Sequence, residues 1–249
     1  MIDQGRLFGL CASALACLGL AAPQQAGAAE CRQALALALD VSGSVDLAEY
    51  RLQRDGLAAA LAAPAVRAAL LSDTAAPVRI AVYEWSGQDN QRILSPFTEI
   101  VDDAALDALI ARIEGTERRP ADPATALGVA MQYGAFLLAA QPCWVRTLDV
   151  SGDGKANTGP LPQSLNLPAD ITVNALVISD PPDPNGRMAV TRGGLITYFE
   201  DAVIRGPGAF AEVAAGFADY ERAMTRKLLR EIESIAIGAV ETEDDGAPS

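Results

Sequence analysis

The run ALALALD at residues 34–40 is the sequence feature that most constrains the fold. It is short, continuous and apolar, which is typical of a β-strand buried on both faces of a sheet. Such strands occur in parallel sheets that helices cover on both sides. The run ends abruptly in Asp40, and Ser42 and Ser44 follow at alternate positions. The predicted strand therefore delivers three oxygen-bearing side chains to one edge of the sheet.

Strand-like and helix-like segments alternate along the rest of the chain. Further strands are predicted over 78–87, 91–97, 145–151, 171–179 and near 201–204, and helices over 46–62, 102–115, 124–140 and 208–234. Pro96 removes a ladder donor, so the strand at 91–97 is predicted to lie at a sheet edge. The alternation predicts one α/β domain with a doubly wound, mostly parallel sheet and helices on both faces. A chain of 249 residues is long enough for one such domain.

Residues 1–29 are predicted to be a secretory signal peptide. They contain one basic residue, a long apolar run, a proline and a stretch of small residues, with cleavage expected after Ala28 or Ala29. A lipid anchor at Cys17 and a retained membrane anchor are the alternatives. No later segment is long and apolar enough to span a bilayer. The protein is therefore expected to be periplasmic or secreted.

Charge and composition exclude several classes of partner and of catalytic chemistry. The formal net charge of −13 disfavours binding to a phosphate backbone, so no nucleic-acid partner is expected. The chain has no histidine, which excludes a Ser-His triad and imidazole metal ligands. Residues 239–249 are acidic and poor in apolar side chains, so they are predicted to form a disordered tail after a domain at 30–238.

Two of the four cysteines lie in the predicted signal peptide, which leaves Cys31 and Cys143 in the exported protein. An exported chain with two cysteines is expected to join them, the alternative being two buried free thiols. Cys31 lies nine residues before Asp40, and Cys143 lies ten residues before Asp153. If both aspartates end neighbouring parallel strands, both cysteines begin them. A Cys31–Cys143 disulfide is therefore predicted.

Polar side chains from three segments are predicted to meet where the strands end. Asp153 follows the fourth predicted strand within DVSGDG, and Thr125 opens a later helix. Two carboxylates and three hydroxyls, without nitrogen or sulfur, suit a hard cation such as Mg²⁺ or Mn²⁺. Asp40 and the serines could instead cap the next helix. The segment 149–160 also imitates an EF-hand loop, although Pro160 stands where that loop needs a glutamate.

The D-x-S-x-S sequence, the later threonine and the aspartate in a DG turn together resemble the metal-ion-dependent adhesion site of von Willebrand factor A-type (vWA) domains. The resemblance covers nearly all of the chain after the signal peptide in the order of its elements. It implies a metal site formed by Asp40, Ser42, Ser44, Thr125 and Asp153. In that family the hydroxyls bind the ion directly or after rearrangement, while the aspartates often act through water. The chain further resembles a bacterial branch of exported vWA-like proteins of unknown function.

The threonine segment departs from the family pattern, which is often rich in glycine and threonine. Here it reads TERRPADPATALG, so Thr116 is a second candidate ligand and Asp122 a candidate that acts through water. Trp85 lies near the end of the second predicted strand. It is either an aromatic contact for a partner beside the ion or a core side chain.

The function that this resemblance implies is an exported, metal-dependent protein-binding module and not an enzyme. The ion would capture an Asp or Glu carboxylate of a protein partner, and the acidic chain favours a partner that is neutral or basic overall. One alternative is a metal-dependent phosphohydrolase with Asp40 as nucleophile, although Ser42 stands where such enzymes need a second aspartate. Another is a structural envelope protein in which the ion only stabilises the fold.

Overall fold

The computed structural model describes residues 31–179 and 189–241, which form a sheet with helices on both faces. The strands are β1 (Cys31–Asp40), β2 (Val78–Trp85), β3 (Gln91–Ile100), β4 (Cys143–Gly152), β5 (Ile171–Ser179) and β6 (Ala211–Ala215). Their order in the sheet is β3-β2-β1-β4-β5-β6, and only β3 is antiparallel to its neighbour. The predicted fold class and the edge position of β3 are both confirmed.

The helices in the described part of the chain alternate with these strands. They are α1 (Leu47–Ala62), α2 (Pro64–Leu70), α3 (Asp103–Glu114), α4 (Leu127–Ala139), α5 (Ala189–Tyr198) and α6 (Tyr220–Glu241). None of them is long and apolar enough to cross a membrane. Helix α6 continues past the predicted domain boundary at 238. The predicted signal peptide and the rest of the acidic tail lie outside the described residues.

Strand β1 separates two apolar cores. Its three leucines point into a core with α1, α2, α3 and α6, whereas its alanines point into a second core with α4. The small side chains on the second face let α4 approach the sheet closely. A Cβ atom at Gly134 of α4 would lie 2.4 Å from a methyl carbon of Leu148. The alternation of large and small residues in ALALALD therefore sets the depth of the two helical layers.

The predictions for the last strand and the start of the last helix are wrong. Residues 199–203 form a π-helical turn, in which Phe199 and Val203 are buried, and not a strand at 201–204. The strand β6 lies instead within the segment predicted as the beginning of the final helix. Gly208 and Gly216, with φ of 67° and 79°, adopt the left-handed conformation on either side of β6. The turn at Gly208 precedes β6, and the turn at Gly216 separates β6 from the helix that follows.

Candidate metal centre at the carboxyl edge of the sheet

Asp40 lies at the last position of β1, between the ends of β2 and β4, and is completely buried. Its Oδ1 atom accepts a 2.8 Å hydrogen bond from the backbone N–H of Ser42. Its Oδ2 atom is also buried and accepts no hydrogen bond of normal geometry within the described residues. A Cβ atom at Gly152 would lie 3.4 Å from Oδ2, so the glycine keeps this side of the carboxylate open. One oxygen of Asp40 is therefore buried without a hydrogen bond of normal geometry to any described residue, although the Ser42 hydroxyl and the Asp153 backbone N–H lie close enough to stabilise the carboxylate.

A chain of short contacts joins the other predicted ligands from β1 and β4. The hydroxyl oxygens of Ser42 and Ser44 lie 3.3 Å apart, and the Ser44 hydroxyl donates to Asp153 Oδ1 at 2.7 Å. Ser42 is buried, whereas Ser44 is exposed. The structure thus brings together Asp40, Ser42, Ser44 and Asp153, as the sequence predicts. The cluster opens towards solvent on the side of Ser44.

Thr125 lies on a loop that packs against the D-x-S-x-S segment. Gly43 donates its backbone N–H to the carbonyl oxygen of Pro123 at 3.0 Å, and a Cβ atom at Gly43 would lie 2.8 Å from the Pro123 side chain. The Thr125 side chain is buried. Its hydroxyl accepts a long hydrogen bond of 3.5 Å from Asn157, and no described hydrogen bond joins it to the other four predicted ligands. Thr125 is therefore adjacent to the cluster through its loop.

Burial and the neighbouring Asp153 carboxylate raise the pKa of Asp40 to about 7, although hydrogen bonds to the carboxylate oppose the rise. A buried carboxylate beside a second carboxylate is an unfavourable arrangement unless a proton or a cation neutralises it. Carboxylate and hydroxyl oxygens are the donors that Mg²⁺ and Mn²⁺ prefer. The donor set and the unpaired Oδ2 atom therefore fit a divalent cation of this kind.

The described residues contain no group of three or more His, Cys, Asp and Glu side chains that could hold a metal ion. The cluster at the carboxyl edge has only two carboxylates, and its other oxygens come from hydroxyls. An ion bound there would keep much of its positive charge. This property distinguishes the cluster from a site in which several carboxylates neutralise the metal.

Two residues that position the candidate ligands have no counterpart in the predicted motif. Asn157 accepts a 2.8 Å hydrogen bond from the Thr125 backbone N–H, and its own N–H donates to the Thr125 carbonyl oxygen at 3.0 Å. Gln53 of α1 donates through Nε2 to the carbonyl oxygen of Asp40 at 2.9 Å. The Asn157 contact joins residues 32 apart in the sequence and the Gln53 contact joins residues 13 apart, so neither has a short-range spacing signal. For Asn157, the only signal in the sequence is its place in the loop that follows Asp153.

The other predicted contributors make no described side-chain hydrogen bond to the four clustered residues. The Thr116 hydroxyl donates to the carbonyl oxygen of Ile113 at the end of α3. Asp122 accepts a hydrogen bond from Ala124 within its own loop. Trp85 is completely buried and belongs to the second core, which favours the core interpretation. Asp149 lies within β4 and pairs with a lysine of α6, so the EF-hand interpretation of 149–160 is wrong.

The predicted Cys31–Cys143 disulfide is confirmed at the opposite end of the sheet. The two cysteines face each other directly in the parallel register of β1 and β4. The same register continues from Leu37 opposite Asp149 towards the strand ends. The candidate metal centre and the disulfide therefore lie at opposite ends of the same pair of strands.

The order and direction of the strands and the similarity to solved structures show the fold of the protein: it is the fold of a von Willebrand factor A-type domain. Residues 30–236 match the family described as "Protein of unknown function (DUF1194)", and the chain belongs to this family. Among curated proteins, none matches the sequence.

Solved structures with the same fold are similar to the chain in shape and distant in sequence. A von Willebrand factor type A protein from Catenulispora acidiphila shares 14% identity with a TM-score of 0.51, over 81% of this chain and 43% of its own. The pilus adhesin SpaC from Lactobacillus rhamnosus GG shares 13% with a TM-score of 0.56, over 82% of this chain and 30% of its own. The conserved hypothetical protein BatB from Bacteroides thetaiotaomicron shares 14% with a TM-score of 0.52, over 82% of this chain and 98% of its own. The chain thus spans less than half of the first two proteins.

Proposed function

We propose that the protein is an exported binding module that captures a carboxylate of a protein partner through a divalent cation. Asp40, Ser42, Ser44, Thr125 and Asp153 would hold Mg²⁺ or Mn²⁺, directly or through water. An Asp or Glu side chain of the partner would complete the coordination of the ion. The observation that carries the proposal is the buried Asp40 Oδ2 atom, which makes no hydrogen bond of normal geometry to the described residues and lies in a cluster with two hydroxyls and a second carboxylate.

The charge of the donor set supports capture of an anion. Two carboxylates neutralise a divalent cation only formally, and hydroxyl ligands add no negative charge. The ion would attract a carboxylate more strongly than an ion surrounded by several carboxylates would. Ser44 is exposed, so a partner can approach the cluster from solvent.

Two further observations support a role outside the cytoplasm. The Cys31–Cys143 disulfide is the kind of bond that persists in oxidising compartments. One protein with the same fold is the pilus adhesin SpaC from Lactobacillus rhamnosus GG. The overall negative charge of the chain favours a partner that is neutral or basic overall and presents its acidic group locally.

Calorimetric titration of chelator-treated protein with Mg²⁺ and Mn²⁺ tests the metal site. We expect one binding site in the wild type and none in the Asp40→Asn variant, whose amide keeps the acceptor for Ser42 but removes the charge. The matched control is Asp103→Asn, which alters an exposed aspartate on α3 that pairs with Arg67. Folded wild-type protein that binds neither ion would contradict the proposal.

Thermal unfolding distinguishes Asp40 of the proposed metal site from an ordinary surface aspartate. Without metal, Asp40→Asn is expected to raise the melting temperature at neutral and higher pH, because it removes a buried charge that lacks compensation. With saturating Mg²⁺, the wild type should gain stability and the variant should not. Metal stabilisation without any divalent-dependent binding of a carboxylate peptide would instead favour a purely structural ion. Divalent-dependent turnover of phosphate esters would favour the phosphohydrolase.

A further inference from the structure

A cavity of about 300 Å³ lies beside the first turns of α1 and the segment that follows α3. Its lining consists of three arginines, a glutamate and two side chains with apolar surface. These residues are Leu47, Tyr50, Arg51, Arg54, Glu117 and Arg118. The concentration of guanidinium groups is unexpected in a chain of net charge −13.

The three guanidinium groups differ in how far their charge is already neutralised. Arg54 pairs with Asp55 at 2.7 Å and donates to the carbonyl oxygen of Thr116. Arg51 is exposed and makes no described hydrogen bond or ion pair with any part of the chain that the structure describes. Arg118 donates to backbone carbonyl oxygens at 3.4 Å and makes no described ion pair, although its charge is among those that oppose the rise that burial causes in the pKa of Glu84. Arg51 and Arg118 are therefore available to bind an anion.

The cavity adjoins the candidate metal centre through Arg118. Its Nη2 atom lies 3.4 Å from the carbonyl oxygens of Val41 and Ser42, which belong to the loop between β1 and α1. On the other side, α1 begins at Leu47, three residues after Ser44. One arginine thus contacts both the cavity and the backbone of the loop that carries the candidate ligands.

We propose that this cavity, which we call the arginine cavity, binds a second carboxylate of the partner captured at the metal centre. The inference rests on the proposed function, since it assigns a second contact to the same partner. The partner would present two acidic side chains near each other: one for the ion and one for Arg51 and Arg118. Guanidinium groups bind carboxylates through two parallel hydrogen bonds, which gives this contact geometric specificity.

The lining favours a carboxylate over a phosphate. Glu117 lies at the exposed rim of the cavity and repels a dianion more than it repels a monoanion. Leu47 has half of its surface exposed, at 51%, and offers apolar contact to the methylene groups of an Asp or Glu side chain. The arginine cavity therefore matches an acidic side chain in both charge and apolar surface.

Titration with synthetic peptides tests the proposal. One peptide carries a single aspartate, and a series carries a second aspartate at increasing separations from the first. With Mg²⁺ at low ionic strength, the best two-acid peptide is expected to bind wild-type protein about tenfold more tightly than the one-acid peptide, as one charge-assisted contact provides. Equal affinity at every separation would overturn the proposal.

Three variants test the cavity through the ratio of the two affinities. Arg51→Gln should reduce the tenfold ratio towards one, and Glu117→Gln should increase it, because it removes the opposing charge. Arg79→Gln is the matched control, since Arg79 is the second residue of β2, at the far end of the sheet, and pairs with Glu99. A ratio that Arg51→Gln leaves unchanged would overturn the assignment of the cavity.

Two further titrations separate this proposal from the metal site. With a chelator present, the two-acid peptide should retain weak binding that Arg51→Gln lowers, whether or not the protein binds Mg²⁺. If the wild type does not bind Mg²⁺ but still shows this weak peptide binding, the result contradicts the metal centre and leaves the arginine cavity supported. The second titration compares inorganic phosphate with acetate. If phosphate binds more tightly than acetate and Arg51→Gln lowers its affinity, the ligand of the cavity is a phosphate and not a carboxylate.

Discussion

Replacing Lys227 with methionine is expected to destabilise the fold by about 3 to 5 kcal/mol. Lys227 lies on α6 and is completely buried against the sheet. Its Nζ atom lies 2.8 Å from Asp149 Oδ2 on β4 and 2.6 Å from Glu231 Oε1 on α6. Asn174 of β5 also donates to Glu231 at 2.7 Å. We call these four residues the buried lysine cluster.

The magnitude follows from the contacts that methionine cannot make. Each hydrogen bond to a charged group contributes about 1.5 to 3 kcal/mol, and Lys227 makes two such contacts. Methionine preserves the length of the side chain, so the packing changes little. The loss therefore comes mainly from two carboxylates that remain buried without their cation.

The charge balance of the cluster predicts an asymmetry between its members. One ammonium faces two carboxylates, so Asp149→Asn leaves one cation beside one anion. We expect Asp149→Asn to cost less than half of what Lys227→Met costs. In the double variant, the two free-energy changes should be less than additive, because the asparagine removes one of the charges that the methionine leaves unpaired.

The effect of Lys227→Met should also depend on pH. Burial raises the pKa of Asp149, and the Lys227 ammonium opposes that rise. In the variant, the folded state therefore holds a proton at pH values at which the unfolded chain, with a carboxyl pKa near 4, has lost it. The free energy of unfolding then falls as pH rises, by up to about 1.4 kcal/mol per pH unit for each proton. The deficit should be larger near pH 8 than near pH 5.

Urea unfolding followed by tryptophan fluorescence measures these differences, since Trp85 is buried in the fold. The slope of the transition should stay constant across the variants. Asp149→Asn that destabilises the protein as much as Lys227→Met would refute the charge argument. The charge argument would also be refuted if Lys227→Met lowered the free energy of unfolding by the same amount at pH 5 and at pH 8.

Three further predictions concern other parts of the molecule. Replacing Cys31 and Cys143 by serine opens a covalent link between residues 112 apart and should cost about 4 to 5 kcal/mol in urea unfolding. Asn157→Ala should weaken Mg²⁺ binding severalfold in calorimetry, because the Thr125 loop loses its clamp. Gly128→Ala should cost about 1 to 3 kcal/mol, because its Cβ atom would lie 2.0 Å from a backbone oxygen, whereas Gly154→Ala, with open space around it, should be nearly neutral in thermal unfolding.

The central strands could be predicted because their apolar runs have a strong periodic signal. The pattern of ALALALD distinguishes the two faces of β1, and the cysteine spacing gives its alignment with β4. The offset of nine residues against ten reflects that Asp40 ends β1, whereas Asp153 lies one residue beyond the end of β4. Local pattern and tertiary pairing agree in this part of the chain.

The last third of the chain was harder to predict because tertiary contacts override its local pattern. The segment AEVAA has moderate helix propensity, yet it pairs with β5 at the sheet edge. Phe199 and Val203 are buried in a helical turn, although DAVI has the composition of a strand. Helix α2 was also missed, although Pro64 stands at its first turn, where proline is favoured.

The residues of the candidate site also fall into two groups: those that local sequence patterns predict and those that only tertiary contacts bring close. Asp40, Ser42, Ser44 and Asp153 could be placed together because each follows a strongly predicted strand. Asn157, Gln53 and Arg118 reach the site across long sequence separations, and no spacing in the sequence indicates those contacts. The sequence motif thus contains the candidate ligands, whereas the residues that position them depend on the tertiary fold.

The disulfide at the start of β1 has a mechanical consequence. Tension applied at the carboxyl edge and resisted at Cys31 would run along β1. Because the Cys31–Cys143 bond joins β1 to β4 at the resisting end, both central strands would share the load. Each of these strands is hydrogen-bonded to a neighbour on both sides, so the load would shear many hydrogen bonds at once. A pull between the candidate binding face and the amino-terminal end of β1 would therefore be resisted by two cross-linked strands and not by β1 alone.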